Sequence, residues 1–361
     1  MGYSSVRGGL EAIEHAEKLI HNQVTEGDDV VEIGQVAGHL QLITDQVMGE
    51  GGVYDVELGA LAVKQAEGDP IEASFLLRAY RTTLPRVGYS LASTGREMRI
   101  TRRISSAFRD IPGGQVLGRT RDYTQRLVDF SLVEGGTPQP VTPSADGTVP
   151  DDDEFPLVID VLREQELMSP APERRVDDEP FDVTREPLRF PAGRSARLQV
   201  LARAETGALL SLAYAGMRGY GGAHGYIGEL RQGDLPVKIS HPVTGRAVRI
   251  GWVPVTECYQ IVGGQATKHQ DRPDYTMGYG VVVGRNERKA ISMSIIDGSL
   301  KKENKSGNVI EDEEYVLYHC DAIEAMGFVE HLKLPHYVDF QASLARTSKV
   351  RELVKAARTN A

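Results

Sequence analysis

The sequence predicts an α+β protein, on three observations. Residues 10–86 carry apolar positions at helical spacing, and residues 226–262 read as antiparallel strands punctuated by turn residues. Nowhere do strands and helices alternate regularly, as a parallel sheet with crossover helices would require.

In the N-terminal stretch the helical period runs through residues 10–19, 36–48, 56–66 and 71–84, separated by Gly-Asp and Gly-Gly punctuation. Residues 97–132 interleave arginines with apolar residues around Pro112-Gly113-Gly114, a turn signal, and predict strands and a loop. From 134 to 190 the chain becomes proline-rich and acidic, with Asp151-Asp-Asp-Glu154 and Asp177-Asp-Glu179. That composition predicts a mobile insertion with one short helix over 155–167. A second folded region begins at Ser195, with helices over 198–204 and 208–215. Strands follow over 226–262, broken at Gly233-Asp234 and Thr244-Gly245, then a strand over 279–283 and a helix over 287–297. One amphipathic helix is expected over 313–325. The division is a helical region with its Arg-rich segment at 1–134, the insertion at 135–190, an α+β domain at 191–345 and a helical tail at 346–361. No internal repeat is seen.

At 361 residues the chain is long enough for two or three domains and a substantial core. Its formal charge of −10 argues against a general nucleic-acid binder, whose surface would be broadly basic. Any phosphate binding must therefore be local. The two cysteines, Cys258 and Cys320, exclude a disulfide framework or a Cys-rich metal cluster and fit a reducing cytoplasm. No apolar run of membrane length occurs, and the N-terminus has no charged-then-hydrophobic signal.

The densest chemistry lies in Gly327-Phe-Val-Glu-His331-Leu-Lys-Leu-Pro-His336-Tyr-Val-Asp-Phe-Gln341. Metal-binding histidines on a helix usually sit four apart on one face. A five-residue step across Pro335 implies instead a helix ending near Lys333 and a turn that swings His336 back toward His331. The pair can then chelate one ion. Zinc is the natural candidate, because imidazole is a preferred nitrogen ligand and two protein ligands leave positions for water or substrate. Tyr337 and Asp339 are candidates to orient the rings. Two histidines near a helix end also suit the capping of carbonyls, and the spacing is compatible with both roles.

Arginines form a second theme. Arg78 and Arg81 lie three apart on one expected helix and share a face, while Arg102, Arg103, Arg109, Arg119 and Arg121 crowd the segment that follows. The planar guanidinium fork suits polyphosphate, so these residues are candidates for a phosphate cradle. Pairing with Asp110, Asp122 and Asp129, or with a partner subunit, is the competing role. Of the glycine motifs, Gly278-Tyr-Gly280-Val-Val-Val-Gly284 has an apolar interior where a dinucleotide fingerprint opens a helix, and reads as a strand. Arg218-Gly-Tyr-Gly-Gly-Ala-His224 is the better ligand loop: glycines admit backbone amides to a ligand, with Arg218 and His224 as polar ends. A plain helix-to-strand turn fits the same residues.

The segment Glu330-His-Leu-Lys-Leu-Pro-His-Tyr-Val-Asp-Phe-Gln341 resembles the signature of the subunit I family (PhnI) of the bacterial carbon-phosphorus lyase core complex. The likeness extends to Ser5-Val-Arg-Gly-Gly9, Phe75-Leu-Leu-Arg-Ala-Tyr-Arg-Thr-Thr83, Arg102-Arg-Ile-Ser105, Asp110-Ile-Pro-Gly-Gly-Gln115, Asp122-Tyr-Thr124, Arg218-Gly-Tyr-Gly221, Gly278-Tyr-Gly280 and Glu287-Arg-Lys-Ala290. The blocks keep the family's order from residue 5 to about 341, whereas 135–185 and the tail after 345 are not covered. One departure is His224-Gly225, where the family pattern is His-Pro.

The resemblance implies a subunit of alpha-D-ribose 1-methylphosphonate 5-triphosphate synthase. Such a subunit works with subunits G and H and the ATP-binding-cassette subunits K and L. A phosphonate oxygen displaces adenine from C1′ of Mg-ATP, and the product keeps its 5′-triphosphate. The carbon-phosphorus bond is left to subunit J, a radical S-adenosylmethionine protein, and the resemblance puts the zinc-type histidine pair at the interface with it. Alone, such a subunit is similar to a purine nucleosidase. One inversion at C1′ through an oxocarbenium-like state needs a triphosphate holder, a proton donor to the purine and a negative group near the sugar. Arg78, Arg81, Arg102 and Arg103 suit the first; Asp312, Glu313, Glu330 and Asp339 are candidates for the others. The alternative is a non-catalytic scaffold that supplies an interfacial zinc site.

Overall fold

The computed structural model describes residues 9–26, 30–133, 155–168, 180–218, 225–263, 275–302 and 305–359. Their architecture is α+β: helices at both ends of the chain and a four-stranded antiparallel sheet between them.

The N-terminal helices are α1 (Gly9–Thr25), α2 (Ile33–His39), α3 (Gln41–Gly51), α4 (Val56–Gln65) and α5 (Pro70–Thr83). The expected single helix over 36–48 is two, because the chain turns at Leu40 before α3 starts. Local chemistry fixes the later starts. Asp55 accepts a bond from the Leu58 amide, and Asp69 accepts one from Ile71 at 2.8 Å, with Pro70 in the first helical turn where its missing N–H costs nothing. Helices α2 to α5 enclose their own core of Val36, Val47, Met48, Ala60, Val63, Ala73 and Leu77. Helix α1 stands apart from it, with Leu10, Ile13, Leu19 and Ile20 exposed.

The sheet has the order β1-β2-β3-β4, from β1 (Arg99–Ile104), β2 (Tyr226–Ser240), β3 (Ala247–Val262) and β4 (Thr276–Val283). The Thr244-Gly245 break is present as the β2–β3 turn, closed by His241 N–H to the Arg246 carbonyl at 2.8 Å. The break at Gly233-Asp234 is not: β2 runs straight through it. Gly233 marks a close approach instead, since a Cβ there would lie 2.1 Å from the Arg99 carbonyl oxygen on β1. Only one strand forms in 97–132, with a lone bridge from Arg103 to Val116 beside it.

Each face of the sheet is covered. On one side lie α7 (Arg194–Arg203), α8 (Thr206–Met217), α9 (Glu287–Leu300) and α10 (Glu313–His319), around fully buried Leu201, Leu209, Met293 and Ile296. Helix α9 rides directly on β4, where a Cβ at Gly278 or Gly280 would come within 2.0 Å of the Ser294 or Ala290 carbonyl. The Gly278 motif is therefore a packing surface. On the other side, α6 (Val158–Glu164) and its flanks pack Leu157, Ile159, Leu162 and Met168 against Tyr259 and Ile261 of β3. Residues 155–168 are thus core, which corrects the expectation of a mobile insertion for that stretch; burial of four apolar side chains outweighs the acidic surroundings. The rest of the acidic tract up to residue 179 lies outside the described residues.

Strand β1 pairs with β2, so the Arg-rich segment belongs to the same sheet as the C-terminal part. The tail after 345 is no separate unit: α12 (Tyr337–Thr359) is continuous from the histidine motif. Before it, the expected helix over 313–325 divides into α10 and α11 (Ala322–His331). Asp321 causes the division, because its carboxylate caps the Ile323 amide and at the same time clamps Arg78 on α5. Among the described residues no helix is long and apolar enough to cross a membrane.

Candidate functional site

The histidine motif folds as its proline demands. Helix α11 ends at His331, whose carbonyl accepts the Leu334 amide at 2.9 Å; Pro335 then blocks continuation, and His336 precedes α12 with its carbonyl receiving the Phe340 amide. The two imidazoles meet edge-on, with centroids 5.3 Å apart and planes at 63°. Each ring is held at Nδ1 by a main-chain carbonyl, that of Phe328 for His331 and that of Leu334, at 2.6 Å, for His336. A carbonyl oxygen carries no proton, so Nδ1 is the donor in both rings, and in a neutral imidazole so held it is Nε2 that offers the lone pair. That is the tautomer a metal ligand needs, with the orienting bond already made. The orienting role expected of Tyr337 and Asp339 is filled at Nδ1 by the backbone.

The pair fits a metal only as a partial ligand set. No group of three or more His, Cys, Asp or Glu able to hold an ion occurs among the described residues. Two imidazoles cannot close a tetrahedral site, so further ligands must come from water, substrate or another chain. The setting agrees: α12 buries none of its side chains, and Phe328, Val329, Leu332, Val338 and Phe340 are all exposed around the pair.

The candidate carboxylates do not converge. Glu330 and Asp339 flank the histidines; Glu330 is exposed and bonded to Lys333 at 3.0 Å, and Asp339 lies exposed in the first turn of α12. Asp312 is elsewhere, capping α10 by accepting the Tyr315 amide at 3.0 Å. That bond explains Asp312 as a helix start.

The arginines are scattered by the pleat of the sheet. Successive strand residues point to opposite faces, so Arg102 turns to the α9 side, bonding Glu287 at 2.5 Å and also Asp122, while Arg103 turns to the α6 side. Arg103 is fully buried, pairs with Glu229 at 2.6 Å and donates to the carbonyls of Pro112, Gly114 and Pro156. These two cannot form one cradle, and their donors are spent on structure. Arg78 is spent as well: it bonds both Asp321 oxygens, at 2.7 and 3.1 Å, and the carbonyls of Glu50 and Arg203. Arg218 closes α8 and bonds the Tyr214 hydroxyl. His224 lies outside the described residues.

Arg81 differs from its neighbours. It sits half-buried against Gly52 at the end of α3, and no carboxylate lies in salt-bridge range of it among the described residues. Burial lowers its pKa, and the adjacent Arg78 and Arg86 lower it further. Beside it is Arg203, the last residue of α7, whose Nε is buried without a hydrogen-bond partner. Burial, with Arg78 and Arg81 adding to it, pushes Arg203 down to about 10. The half-exposed Tyr54 phenol lies in the field of both guanidiniums.

Deeper in the same seam between the helical unit and the sheet unit, Glu50 accepts from the Thr206 amide at 2.9 Å and from its hydroxyl at 2.5 Å. Lys289 faces this carboxylate from the first turn of α9, buried and with no hydrogen-bond partner for Nζ. Burial pushes its pKa down to about 8, against the pull of Glu50 and Asp321. Glu50 is raised, also by burial first. On the far side of the sheet, Arg231 and Glu257 pair at 2.6 Å, and the Tyr279 hydroxyl donates to Glu257 at 2.7 Å. Sequence reasoning missed Arg203, Lys289 and Glu257; nothing local sets them apart from the other charged residues of α7, α9 and β3, and only the fold brings their neighbours to them.

A family profile described as bacterial phosphonate metabolism protein (PhnI) matches residues 2–354. The chain is 43% identical over 368 residues to a putative C-P lyase subunit protein, HtxH, of Stutzerimonas stutzeri, covering 99% of this chain and 98% of that one. It is 44% identical to the PhnI subunit of alpha-D-ribose 1-methylphosphonate 5-triphosphate synthase of Rhizobium meliloti strain 1021, covering 97% and 95% of the two chains. The PhnI subunit of the same synthase from Escherichia coli strain K12 is also 44% identical, covering 97% and 98%.

Proposed function

Since the chain belongs to the PhnI family of bacterial phosphonate metabolism proteins, we propose that it is the subunit I of a carbon-phosphorus lyase complex. In that complex it takes part in replacing the adenine of Mg-ATP by a phosphonate, giving alpha-D-ribose 1-methylphosphonate 5-triphosphate. Its partners in this reading are subunits G, H and J and the ATP-binding-cassette subunits K and L. The observation that carries the assembly is the ridge formed by α11 and α12. It presents two histidines in the ligand tautomer, an incomplete ligand set and a cover of exposed apolar side chains.

In the reaction a phosphonate oxygen forms the new bond to C1′ while the C1′–N9 bond breaks, and the purine leaves with the electron pair and takes up a proton. Charge on the sugar peaks in between, so a nearby carboxylate lowers the barrier. Glu330 and Asp339 are the residues of this chain that border the histidines and are proposed for that electrostatic role. His331 and His336 would hold a zinc ion, which when bound supplies a positive centre for phosphonate or phosphate oxygens. The purine's proton donor is assigned to a group contributed at the interface, because Glu330 and Asp339 both lie exposed on the ridge.

That exposure favours a second reading, in which the chain is a scaffold completing a partner's centre. Free base released from ATP or GTP by the purified chain alone would place the glycosidic site here. Release only with the partner subunits and methylphosphonate would place it at the interface. A chain that purifies as an indifferent monomer in the presence of all partners would contradict both.

A further inference from the structure

We infer that Arg81 and Arg203, with the neighbouring Tyr54 hydroxyl and Arg78, form a binding site for the oligophosphate tail of a nucleotide. The site lies where the last turns of α5 and α7 meet the start of α11.

Charge balance within the cluster carries the inference. Arg78 is matched by Asp321, and Arg86 by Asp182 at 2.9 Å. Arg81 and Arg203 have no such match among the described residues, and Asp321 and Glu324 act on Arg203 only from beyond salt-bridge distance. The carbonyl ends of α3 and α7 offset part of this charge, but a helix terminus supplies only about half a unit each, against two full guanidinium charges. Exposed Glu324 and the carbonyl end of α5 offset more of it, yet the buried Nε of Arg203 has no acceptor and Arg81 has no carboxylate in salt-bridge range among the described residues, in a half-buried place where water screens charge poorly. Arg231 also has guanidinium atoms without partners, yet it is sealed inside a network where Glu229 and Glu257 balance Arg103 and Arg231. The seam is the place where charge is open and reachable.

Geometry decides the ligand. Arg78 and Arg81 lie one turn apart on one helix face, and Arg78 donates to the Arg203 carbonyl at 3.1 Å, which fixes the α7 end beside α5. Two forks and a phenol on a rigid frame offer more donors than a single carboxylate can use, and suit an anion with several charged oxygens. Helix α11 links this cluster to the histidine ridge. Its ten residues span about 15 Å from Asp321 to His331 at 1.5 Å per residue. The start of α11 is thus fixed beside the proposed clamp through Asp321 and Arg78, and its end carries His331 of the candidate metal pair. Only the identification of the anion as a nucleotide tail rests on the proposed function.

The test is calorimetric titration of the full chain with inorganic tripolyphosphate, after chelator treatment, for the wild type, Arg81→Gln, Arg203→Gln and a control, Arg249→Gln. Arg249 stacks over Trp252, far along the β2–β3 hairpin. Each seam variant should bind at least about tenfold more weakly, the loss of one charge-assisted contact, while the control binds like the wild type. Unfolding midpoints are measured in parallel; if one seam variant fails to fold, the other decides. ATP should compete with tripolyphosphate and methylphosphonate should not. Unchanged affinity in the folded seam variants, no preference of the wild type for tripolyphosphate over sulfate, or competition by methylphosphonate alone overturns the site. So does loss of partner subunits with anion binding intact. Tripolyphosphate binding that survives chelation while complex turnover does not would separate this site from the fate of the metal reading.

Discussion

The sheet interior and the α11–α12 ridge use the same kinds of residue to opposite ends. In the sheet, Arg103, Glu229, Arg231 and Glu257 are fully or nearly fully buried and closed on one another, so their charges serve the fold. On the ridge, α12 buries nothing, and the histidines are oriented by their own backbone while their ligand set stays incomplete. A charged residue with all its partners inside the chain is structural; one prepared but unfinished points outward, to a ligand or another chain.

The sharpest way to break that contrast is at Arg103. Glu229→Ala or Arg103→Ala leaves an uncompensated buried charge and should cost about 3–5 kcal/mol in urea unfolding. A loss under 1 kcal/mol would mean that the sheet network is not what it is described to be. Arg78→Ala should follow closely, at about 2–4 kcal/mol, because it frees Asp321 and unpins α11 from α5. Stability, rather than nucleotide affinity alone, is therefore the first property Arg78 controls, and low yield of this variant is the expected outcome.

A third test uses the seam. The folded-state pKa of Lys289 is pushed from 10.5 down to about 8, so the folded chain sheds this proton before the unfolded one does. The burial penalty is fully present below pH 8 and is relieved as pH rises from about 8 to 10.5, where the unfolded state binds more protons. Wild type minus Lys289→Met should therefore show stability rising with pH across that window, by at most about 1.4 kcal/mol per unit. A flat difference would mean that Lys289 is not buried as a cation. The ridge supplies the smallest stability effect: His331→Ala and His336→Ala should each shift unfolding by no more than about 0.5 kcal/mol, as exposed substitutions do.

Much of this contrast was readable from the chain. Helical period, the Gly-Asp punctuation and the Thr244-Gly245 turn announced α4, α5 and the β2–β3 hairpin, because local chemistry fixes them. The proline between the histidines announced the end of α11. Gly233 misled because glycine serves both turns and close strand contacts, and the sequence does not say which neighbour approaches. Arg102 and Arg103 misled as a joint cradle for a related reason. Adjacency in sequence placed Arg102 and Arg103 together, while the strand's alternation sends them to opposite faces. Arg203 and Lys289 were invisible because their neighbours come from α3, α5 and α11.

Completion of the histidine pair on the ridge within the assembly is the central expectation. The direct measurement is elemental analysis of the purified complex containing wild-type chain, His331→Ala or His336→Ala, alongside its turnover of ATP with methylphosphonate. The expected result is zinc in the wild-type complex and none in either variant, with assembly intact and phosphonate turnover lost. Zinc missing from the wild-type complex, or retained by both variants, would contradict it and return His331 and His336 to the capping of helix ends.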